Sequence, residues 1–457
     1  MVVSEEPLST FSIDVDVASY ANCRRFVNNG QLPPADAVRI EEFINYFEYE
    51  YPQPEDGRPI GATIEIAECP WNTKRLLAKI GLKGKEIENA QKPPSYLTFL
   101  IDVSGSMSSA NKLPLLKEAF KLLVEQLGEQ DRVAIVVYAS STGCVLPLTS
   151  ANEKTRIIAA IDQLESGGST AGGAGIQLAY SIASENYNPE ANNRVILATD
   201  GDFNVGISNT DALIELIEEK RESGIYLTVL GFGMGNLKDD KMEALADHGN
   251  GNYAYIDDRA EAEKVFVHDL AKMISVVAQD VKIQVEFNPQ QIKAYRLIGY
   301  ENRLLESEDF NNDKKDAGEM GAGHTVTACY EIIPVASDEA VPGVDSLRYQ
   351  KSSLDVPDQD VADEYLFVKI RYKLPGDSTS NLYTIPAGRQ CFTESPSTDF
   401  QFVSAVVAYG LLMKRSDYCG TASFEQVISI GNEAVGSDPE GYRKDFVSLV
   451  ELASRLE

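Results

Sequence analysis

The chain has little histidine and, for its length, few basic residues. Its 457 residues include three histidines, His248, His268 and His324, which stand far apart. Three scattered imidazoles cannot supply the histidine clusters of catalytic zinc sites, and they do not assemble readily into a Ser-His-Asp or Cys-His set. Lysine and arginine number 41 against 70 acidic residues, a formal net charge of −29. A surface of this charge repels phosphate backbones, so we expect no nucleic-acid partner.

Long apolar runs and closely spaced cysteines are also missing. The longest apolar stretch, residues 402–413, is too short for a bilayer and contains Ser404 and Gly410, so we predict a buried helix and no transmembrane segment. The six cysteines include no C-x-x-C pair, and we expect mostly free, buried thiols. The first residues lack the basic and apolar regions of a signal peptide, so the chain is either cytoplasmic or an exported protein without its signal.

What is present is the composition of an ordinary folded protein, 43% hydrophobic and 24% charged, with a length that favours two or three domains. Changes of hydrophobic period and turn-rich stretches divide the chain into five predicted segments. These are an N-terminal helical region (1–51), first β-sandwich strands (52–93), an α/β domain (94–278), a β-sandwich domain (279–397) and a C-terminal helical region (398–457).

Residues 94–278 alternate between near-continuous apolar runs and amphipathic helical runs. This alternation predicts a parallel sheet with helices on both faces. Since β-patterned segments stand on both sides of it, we hypothesise that the α/β domain is inserted in, or flanked by, one β-sandwich. The predicted strands are Tyr96–Ile101, Val133–Tyr138, Val195–Thr199, Tyr226–Leu230 and Tyr253–Ile256, and the last helix is predicted over Glu261–Ala278.

Oxygen-bearing side chains follow the ends of these strands. Asp102, Ser104 and Ser106 form a D-x-S-x-S pattern after the first strand, Thr170 lies in a glycine-rich loop, and Asp200 follows the strand at 195–199. Ligands of parallel sheets bind at the carboxyl ends of strands, so the location suits a site. One carboxylate and two hydroxyls can converge on a hard cation such as Mg²⁺. D-x-S-x-S alone is a weak match, and the set of five is the informative feature.

These five residues resemble the metal-ion-dependent adhesion site of von Willebrand factor type A domains. The resemblance covers roughly residues 94–278 and implies a Rossmann-like domain that binds Mg²⁺, or Mn²⁺ or Ca²⁺. It further implies an open coordination position that accepts an acidic residue of a partner protein. Residues 11–16, 295–303 and 321–324 resemble the bacterial YfbK-like family, in which a type A domain precedes a C-terminal domain of unknown function.

We therefore predict a non-enzymatic, metal-dependent protein-interaction or adhesion module whose unknown partner offers an acidic residue. The resemblance implies a place in the cell envelope, periplasmic or on the outer surface, as a lipoprotein whose signal and lipid anchor are absent from this chain. A cytoplasmic location stays open. Two alternative functions also stay open. One is a metal-dependent hydrolase of phosphoester or acyl substrates, in which a metal beside Asp102 and Asp202 activates water, and the other is a purely structural envelope scaffold.

Overall fold

The chain contains two kinds of sheet. Segments with continuous apolar runs form a mostly parallel sheet, and segments with alternating apolar residues form antiparallel sheets. The computed structural model describes residues 1–88, 92–169, 172–201, 210–233, 239–341 and 361–457. The chain divides into a first unit, residues 1–15, 23–85 and 277–457, and a second unit, residues 16–22 and 86–276. The predicted fold class, an α/β domain combined with a β-sandwich and terminal helices, is confirmed, while the exact limits of the five predicted segments stay a prediction.

The strands, in chain order, are β1 (Leu8–Ser12), β2 (Ile60–Glu68), β3 (Leu76–Gly84), β4 (Ser95–Asp102), β5 (Arg132–Tyr138), β6 (Thr142–Ser150), β7 (Asn192–Thr199), β8 (Ile225–Phe232), β9 (Tyr253–Ile256), β10 (Val276–Phe287), β11 (Ile292–Ile298), β12 (Gly318–Gly321), β13 (Thr325–Pro334), β14 (Glu364–Lys373) and β15 (Asn381–Gly388). The α-helices are α1 (Ala18–Asn28), α2 (Ile40–Asn45), α3 (Leu113–Gln126), α4 (Lys154–Asp162), α5 (Gly172–Glu185), α6 (Thr210–Glu222), α7 (Asp239–His248), α8 (Arg259–Glu263), α9 (Leu270–Ile274), α10 (Thr398–Lys414), α11 (Phe424–Glu433) and α12 (Tyr442–Ala453).

The second unit is built on one sheet with strand order β6-β5-β4-β7-β8-β9. All five predicted strands form and pair in parallel. The sixth, β6, was not predicted, and it runs antiparallel to β5 at the edge. Its short apolar run is interrupted by Pro147, which is typical of a loop. An edge strand tolerates proline because one side of its backbone needs no partner.

Helix α3 shows how the apolar stripe of a helix covers this sheet. Leu116 and Phe120 are fully buried, and the Phe120 ring stacks on Phe99 of β4 with 4.2 Å between centroids. The end of the unit differs from the prediction. The helix predicted to reach Ala278 stops at Ile274, after a π-helical turn, because the alternating residues from Val276 onward form β10 instead.

The first unit contains two antiparallel sheets, β11-β13-β3-β2 and β1-β10-β14-β15, with β12 paired to β10. Aromatic side chains join them face to face. Phe287 of β10 stacks on Tyr295 of β11 at 4.1 Å and meets Tyr330 of β13 edge-on at 5.3 Å. This is the packing of a β-sandwich.

The sequence predicted a helical N-terminal region, but the structure contains a strand there as well as helices. Helices α1 and α2 form, but β1 precedes them and pairs with β10, with Phe11 opposite Ile283. Five residues are too few for an alternating pattern to stand out, and the pairing partner, β10, is far away in the sequence. This strand therefore depends on a tertiary contact that local sequence does not show.

Two of the three segments that resemble the YfbK-like family outside the central domain, residues 11–16 and 295–303, contact each other through residues of the first unit. Arg303 donates to a carboxylate oxygen of Asp14 at 3.2 Å, and the rings of Phe11 and Tyr300 lie 4.9 Å apart. The Tyr300 hydroxyl donates to the carbonyl oxygen of Thr327 at 3.1 Å. These motifs therefore build a partly polar core.

Helix α10 contains the long apolar stretch and is buried, as predicted. It begins after Ser397, whose hydroxyl accepts the backbone N–H of Phe400 at 3.1 Å, and ends at Arg415 in the left-handed conformation. Phe402 packs edge-on against Phe47 and Phe446, at 5.0 and 5.5 Å. Within the part of the chain that the structure describes, no helix combines the length and apolar character of a bilayer-crossing segment.

None of the six cysteines forms a disulfide, and all six lie within the described residues. Burial follows the prediction for three of them, Cys23, Cys69 and Cys329. Cys144 is exposed on the unpredicted edge strand β6, and the remaining two are half-buried.

Glu41 of α2 is a buried carboxyl group in the first unit. Neither of its carboxylate oxygens has a hydrogen-bond partner among the described residues, and its exposed fraction is 0%. Burial, assisted by the charges of Asp14, Glu42 and Glu301 and opposed by a backbone hydrogen bond, raises the pKa of Glu41 from 4.5 to about 8. Two of these neighbours are themselves paired with cations, Asp14 with Arg303 and Glu42 with Arg39. The folded chain therefore holds a proton on Glu41 at neutral pH.

Because this pKa is raised on folding, the proton stabilises the fold fully below pH 4.5, and that contribution is lost as the pH rises through about 8. We expect Glu41→Gln, which is neutral at every pH, to lose this dependence. As the pH rises from 5 to 9, the thermal midpoint of the wild type should fall relative to that of the variant. The change in relative stability should be on the order of 3 kcal/mol. Glu451→Gln, at an exposed carboxyl of α12, is the control. A difference between Glu41→Gln and wild type that stays constant with pH would contradict the assignment.

Candidate metal centre

The carboxyl ends of β4 and β7 lie side by side in the sheet of the second unit. The two strands are parallel, with Ile101 opposite Ala198. The chain leaves β4 toward β5 on one side and leaves β7 toward β8 on the other. Their loops therefore open a crevice at a switch point, where parallel sheets bind ligands. Asp102 is the last residue of β4 and Asp200 is the first after β7, so both stand at this crevice.

Asp102 is held by bonds from both strands. Its side chain is buried, Oδ1 accepts the backbone N–H of Ser104 at 2.8 Å, and Oδ2 accepts the hydroxyl of Thr199 at 3.2 Å. The Thr199 oxygen in turn accepts the backbone N–H of Gly201 at 3.2 Å. The carboxylate is therefore oriented before any ligand arrives.

Ser104 and Ser106 are brought together by a tight turn. A 3₁₀ helix over Gly105–Ser108 follows β4, and the backbone N–H of Met107 donates to the Ser104 carbonyl at 3.0 Å. The Oγ atoms of Ser104 and Ser106 consequently lie 3.0 Å apart. Ser104 is buried and Ser106 is half-buried, so the pair leads from Asp102 toward the surface.

Asp200 pairs with a lysine that the sequence analysis did not single out. The Nζ of Lys112 lies 2.7 Å from Oδ2 of Asp200, and the two side chains are 9% and 0% exposed. Lys112 directly precedes α3. The carboxylate that follows β7 thus has a buried ammonium as its neighbour.

The glycine-rich loop is tied to the same turn. The backbone N–H of Gly105 donates to the carbonyl of Gly168 at 3.0 Å, and that of Gly167 donates to the carbonyl of Val103 at 2.8 Å. Thr170 comes two residues after Gly168 but lies outside the described residues, as does Asp202 of the hydrolase alternative. The structure thus places Asp102, Ser104, Ser106 and Asp200 at one crevice.

The site concentrates negative charge away from water. Burial raises the pKa of Asp102, and the charge of Asp200 adds to the rise, whereas hydrogen bonds from Ser104 and Thr199 oppose it. Burial also raises the pKa of Tyr138 well above its ordinary value, with the Asp102 charge contributing. The Tyr138 phenol is therefore neutral beside the carboxylates. One ammonium compensates only one of the two buried carboxylates, so the site can accept further positive charge.

The donor chemistry fits a hard cation. Within the described ranges, no three histidine, cysteine, aspartate or glutamate side chains converge as a metal site. The predicted donors at the crevice are instead two carboxylates and two hydroxyls. Hard oxygen donors suit Mg²⁺, Mn²⁺ or Ca²⁺ and are unlike the sulfur and nitrogen sets that bind zinc.

Two residues of this site, Thr199 and Lys112, were missed by sequence reasoning. Thr199 was predicted only as the end of an apolar strand, although a hydroxyl at a strand end beside Asp200 was a usable signal. Lys112 has no such signal, since its partner is 88 residues away and only the sheet brings the two together.

Family profiles match nearly the whole chain. The profile described as "von Willebrand factor type A domain" matches residues 97–269, which include all five predicted metal-site residues. One described as "Uncharacterized protein YfbK, C-terminal" matches residues 272–456, and one described as "von Willebrand factor" matches residues 1–79. The type A domain recognised from the sequence is confirmed, and such domains are in general folds for metal-dependent adhesion and protein interaction.

Known proteins resemble the chain over most of its length. The YfbK protein of Escherichia coli strain K12 is 43% identical over 99% of this chain and 79% of its own. A Synechocystis protein is 24% identical over 75% of this chain and 76% of its own. A solved von Willebrand factor type A structure from Catenulispora acidiphila is 18% identical, covers 88% of this chain and 92% of its own, and has a TM-score of 0.45.

The glycine loop offers a test of the crevice with a matched control. Gly168 has φ +80°, and a Cβ there would lie 2.3 Å from the Ser140 hydroxyl oxygen, whereas a Cβ at Gly167 would meet nothing within 4 Å. We expect Gly168→Ala to destabilise the fold by about 1–2 kcal/mol, and Gly167→Ala to change stability by less than about 0.5 kcal/mol. Thermal unfolding of the two variants measures this. Equal effects would show that the loop does not adopt this conformation.

Proposed function

The chain belongs to the YfbK family, and from this premise we propose that its type A domain is a protein-interaction module that binds an acidic side chain of a partner through a divalent cation. Asp102, Ser104, Ser106, Thr170 and Asp200 would hold the cation, with Mg²⁺ as the first candidate and Mn²⁺ and Ca²⁺ as alternatives. The observation that carries the proposal is that two buried carboxylates and two hydroxyls follow the neighbouring ends of β4 and β7, at the switch point of the sheet.

The balance of charge supports the cation. Asp102 and Asp200 are 0% and 1% exposed, so their charges are costly unless they are paired. The Lys112 ammonium offsets one of them. A divalent cation would offset the charge that the lysine leaves uncompensated.

The half-buried edge of the site supports an acidic ligand. Ser106 lies toward the surface, so a cation beside it would be reachable by a partner. When bound, the cation supplies the positive charge, and neutral hydroxyl donors leave that charge available for another anion. A carboxylate of a second protein matches both the charge and the oxygen chemistry.

Binding rather than catalysis is the activity that we propose. Interaction is the general role of type A domains, and the polar groups described here bond to one another in pairs, Ser104 with Ser106 and Lys112 with Asp200. We also propose that the protein acts in the bacterial cell envelope, as its YfbK-like resemblance implies. Cell fractionation of the protein expressed from its own gene tests that location.

Metal binding is tested first. We expect the purified chain to bind Mn²⁺ or Mg²⁺ saturably at one site in isothermal titration. Asp102→Asn, which keeps the shape and the acceptor for the Ser104 N–H, should weaken binding by about tenfold or more, because it removes a charge at the cation. Asp162→Asn, at the exposed last residue of α4, should bind like wild type. Equal affinity of Asp102→Asn and wild type would contradict the site.

Partner capture is tested second. Immobilised chain should retain envelope proteins in Mg²⁺ and release them in EDTA, and Asp102→Asn should retain none of these. Carboxyl groups of the extract can be amidated beforehand, and this treatment should abolish capture. Because the chain carries a net charge of −29, repulsion opposes an acidic partner, so capture should weaken little, or strengthen, as salt rises. If EDTA lowers the thermal stability of the chain without releasing the captured proteins, the metal has a structural role instead.

A further inference from the structure

Lys112 is a buried lysine whose ammonium faces a predicted metal ligand. Its residue is 7% exposed, and its Nζ lies 2.7 Å from Oδ2 of Asp200. A lysine on a protein surface samples many positions and contributes little to an ion pair. This one is removed from water, and its partner carboxylate is fully buried.

The lysine stem is held in place from both ends. At the backbone, the Lys112 N–H donates to the Ser109 carbonyl at 3.0 Å, and the Lys112 carbonyl accepts the N–H of Leu116 at 2.8 Å. Along the stem, Gly233 directly after β8 provides the space. A Cβ at Gly233 would lie 2.2 Å from Cε and 2.5 Å from Cγ of Lys112. The ammonium is thus directed at Asp200 by packing.

The charge of Lys112 opposes that of an incoming cation. At separations of a few ångströms and with little water between them, two positive charges repel strongly. Asp200 needs a positive neighbour because it is buried, and without metal Lys112 is that neighbour. A divalent cation that coordinates Asp200 must therefore take the place of the ammonium or share the carboxylate with it.

We propose that Lys112 is the resident counterion of Asp200, that a divalent cation displaces it on binding, and that it thereby lowers the affinity of the site for metal. This inference rests on the proposed function, since it assumes that the crevice binds a cation. Its consequence is that the metal-free domain keeps a paired Asp200, and that metal is bound only when its concentration is high enough to compete.

The test compares Mn²⁺ affinity in variants of the full chain by isothermal titration. Lys112→Gln keeps a hydrogen-bond donor for Asp200 and removes the charge, and we expect it to bind Mn²⁺ about tenfold or more tightly than wild type. Lys112→Arg keeps the charge and should not gain affinity. Lys121→Gln removes the same charge from α3 at a surface pair with Asp162, and it should match wild type.

The outcomes separate this inference from the proposed function. If wild type binds Mn²⁺ and Lys112→Gln binds it equally or more weakly, the proposed counterion role of Lys112 is wrong and the proposed metal site is retained. Lys112→Gln that binds where wild type does not would support the counterion. Binding by neither protein would overturn both proposals.

A second measurement does not depend on the variant folding. In wild type, Mg²⁺ titration followed by nuclear magnetic resonance should shift the Lys112 side-chain Cε signals in proportion to site occupancy, because the ammonium leaves Asp200. The Lys121 signals should stay unchanged. Saturation with Mg²⁺ that leaves the Lys112 signals unmoved would overturn the proposal.

Discussion

Two carboxylates that do not reach water stand at the ends of neighbouring parallel strands, and the second unit has to accommodate their charge. Asp102 and Asp200 owe their neighbouring positions to the pairing of β4 with β7, and both are buried. The tight turn at residues 105–108, the hydrogen bond from Thr199 and the ion pair with Lys112 all respond to this constraint. A buried charge left unpaired costs several kcal/mol, roughly the scale of a domain's whole stability.

The same constraint connects structure to function. A site that must bury negative charge is stable with a cation, and it can offer that cation to a partner when neutral hydroxyls fill part of the coordination. The lysine gives the metal-free domain a way to remain folded. In the function that we propose, the Lys112 ammonium and the metal would be alternative ways to neutralise Asp200, so metal occupancy would depend on competition between them.

The first unit solves its own problem of buried charge in a different manner. Glu331 is 1% exposed and accepts the Trp71 Nε1–H at 2.6 Å and the Arg296 guanidinium at 2.7 Å, so its charge is paired. Glu41 has no such donors among the described residues and is neutral by protonation. Arg296 belongs to residues 295–303, which resemble the YfbK-like family but offered no predicted chemical role. In the structure, this segment helps to pair the buried charge of Glu331.

How much the sequence could predict follows from the range of each signal. The five parallel strands and the donors at their ends were predictable because apolar runs and the residues that follow them are local. The strands β1 and β6 were not, since β1 is short and pairs with a distant strand, and Pro147 interrupts the apolar run of β6. Lys112 was unpredictable because its meaning comes from a partner 88 residues away. Thr170, the remaining predicted donor, lies outside the described residues.

The most direct measurement is a crystal structure of the chain grown with Mn²⁺, with the metal located by its anomalous scattering. Our account predicts one strong peak among Asp102, Ser104, Ser106 and Asp200, with the Lys112 ammonium withdrawn from Asp200. A peak elsewhere, or a peak at this crevice with the lysine still paired to Asp200, would contradict it.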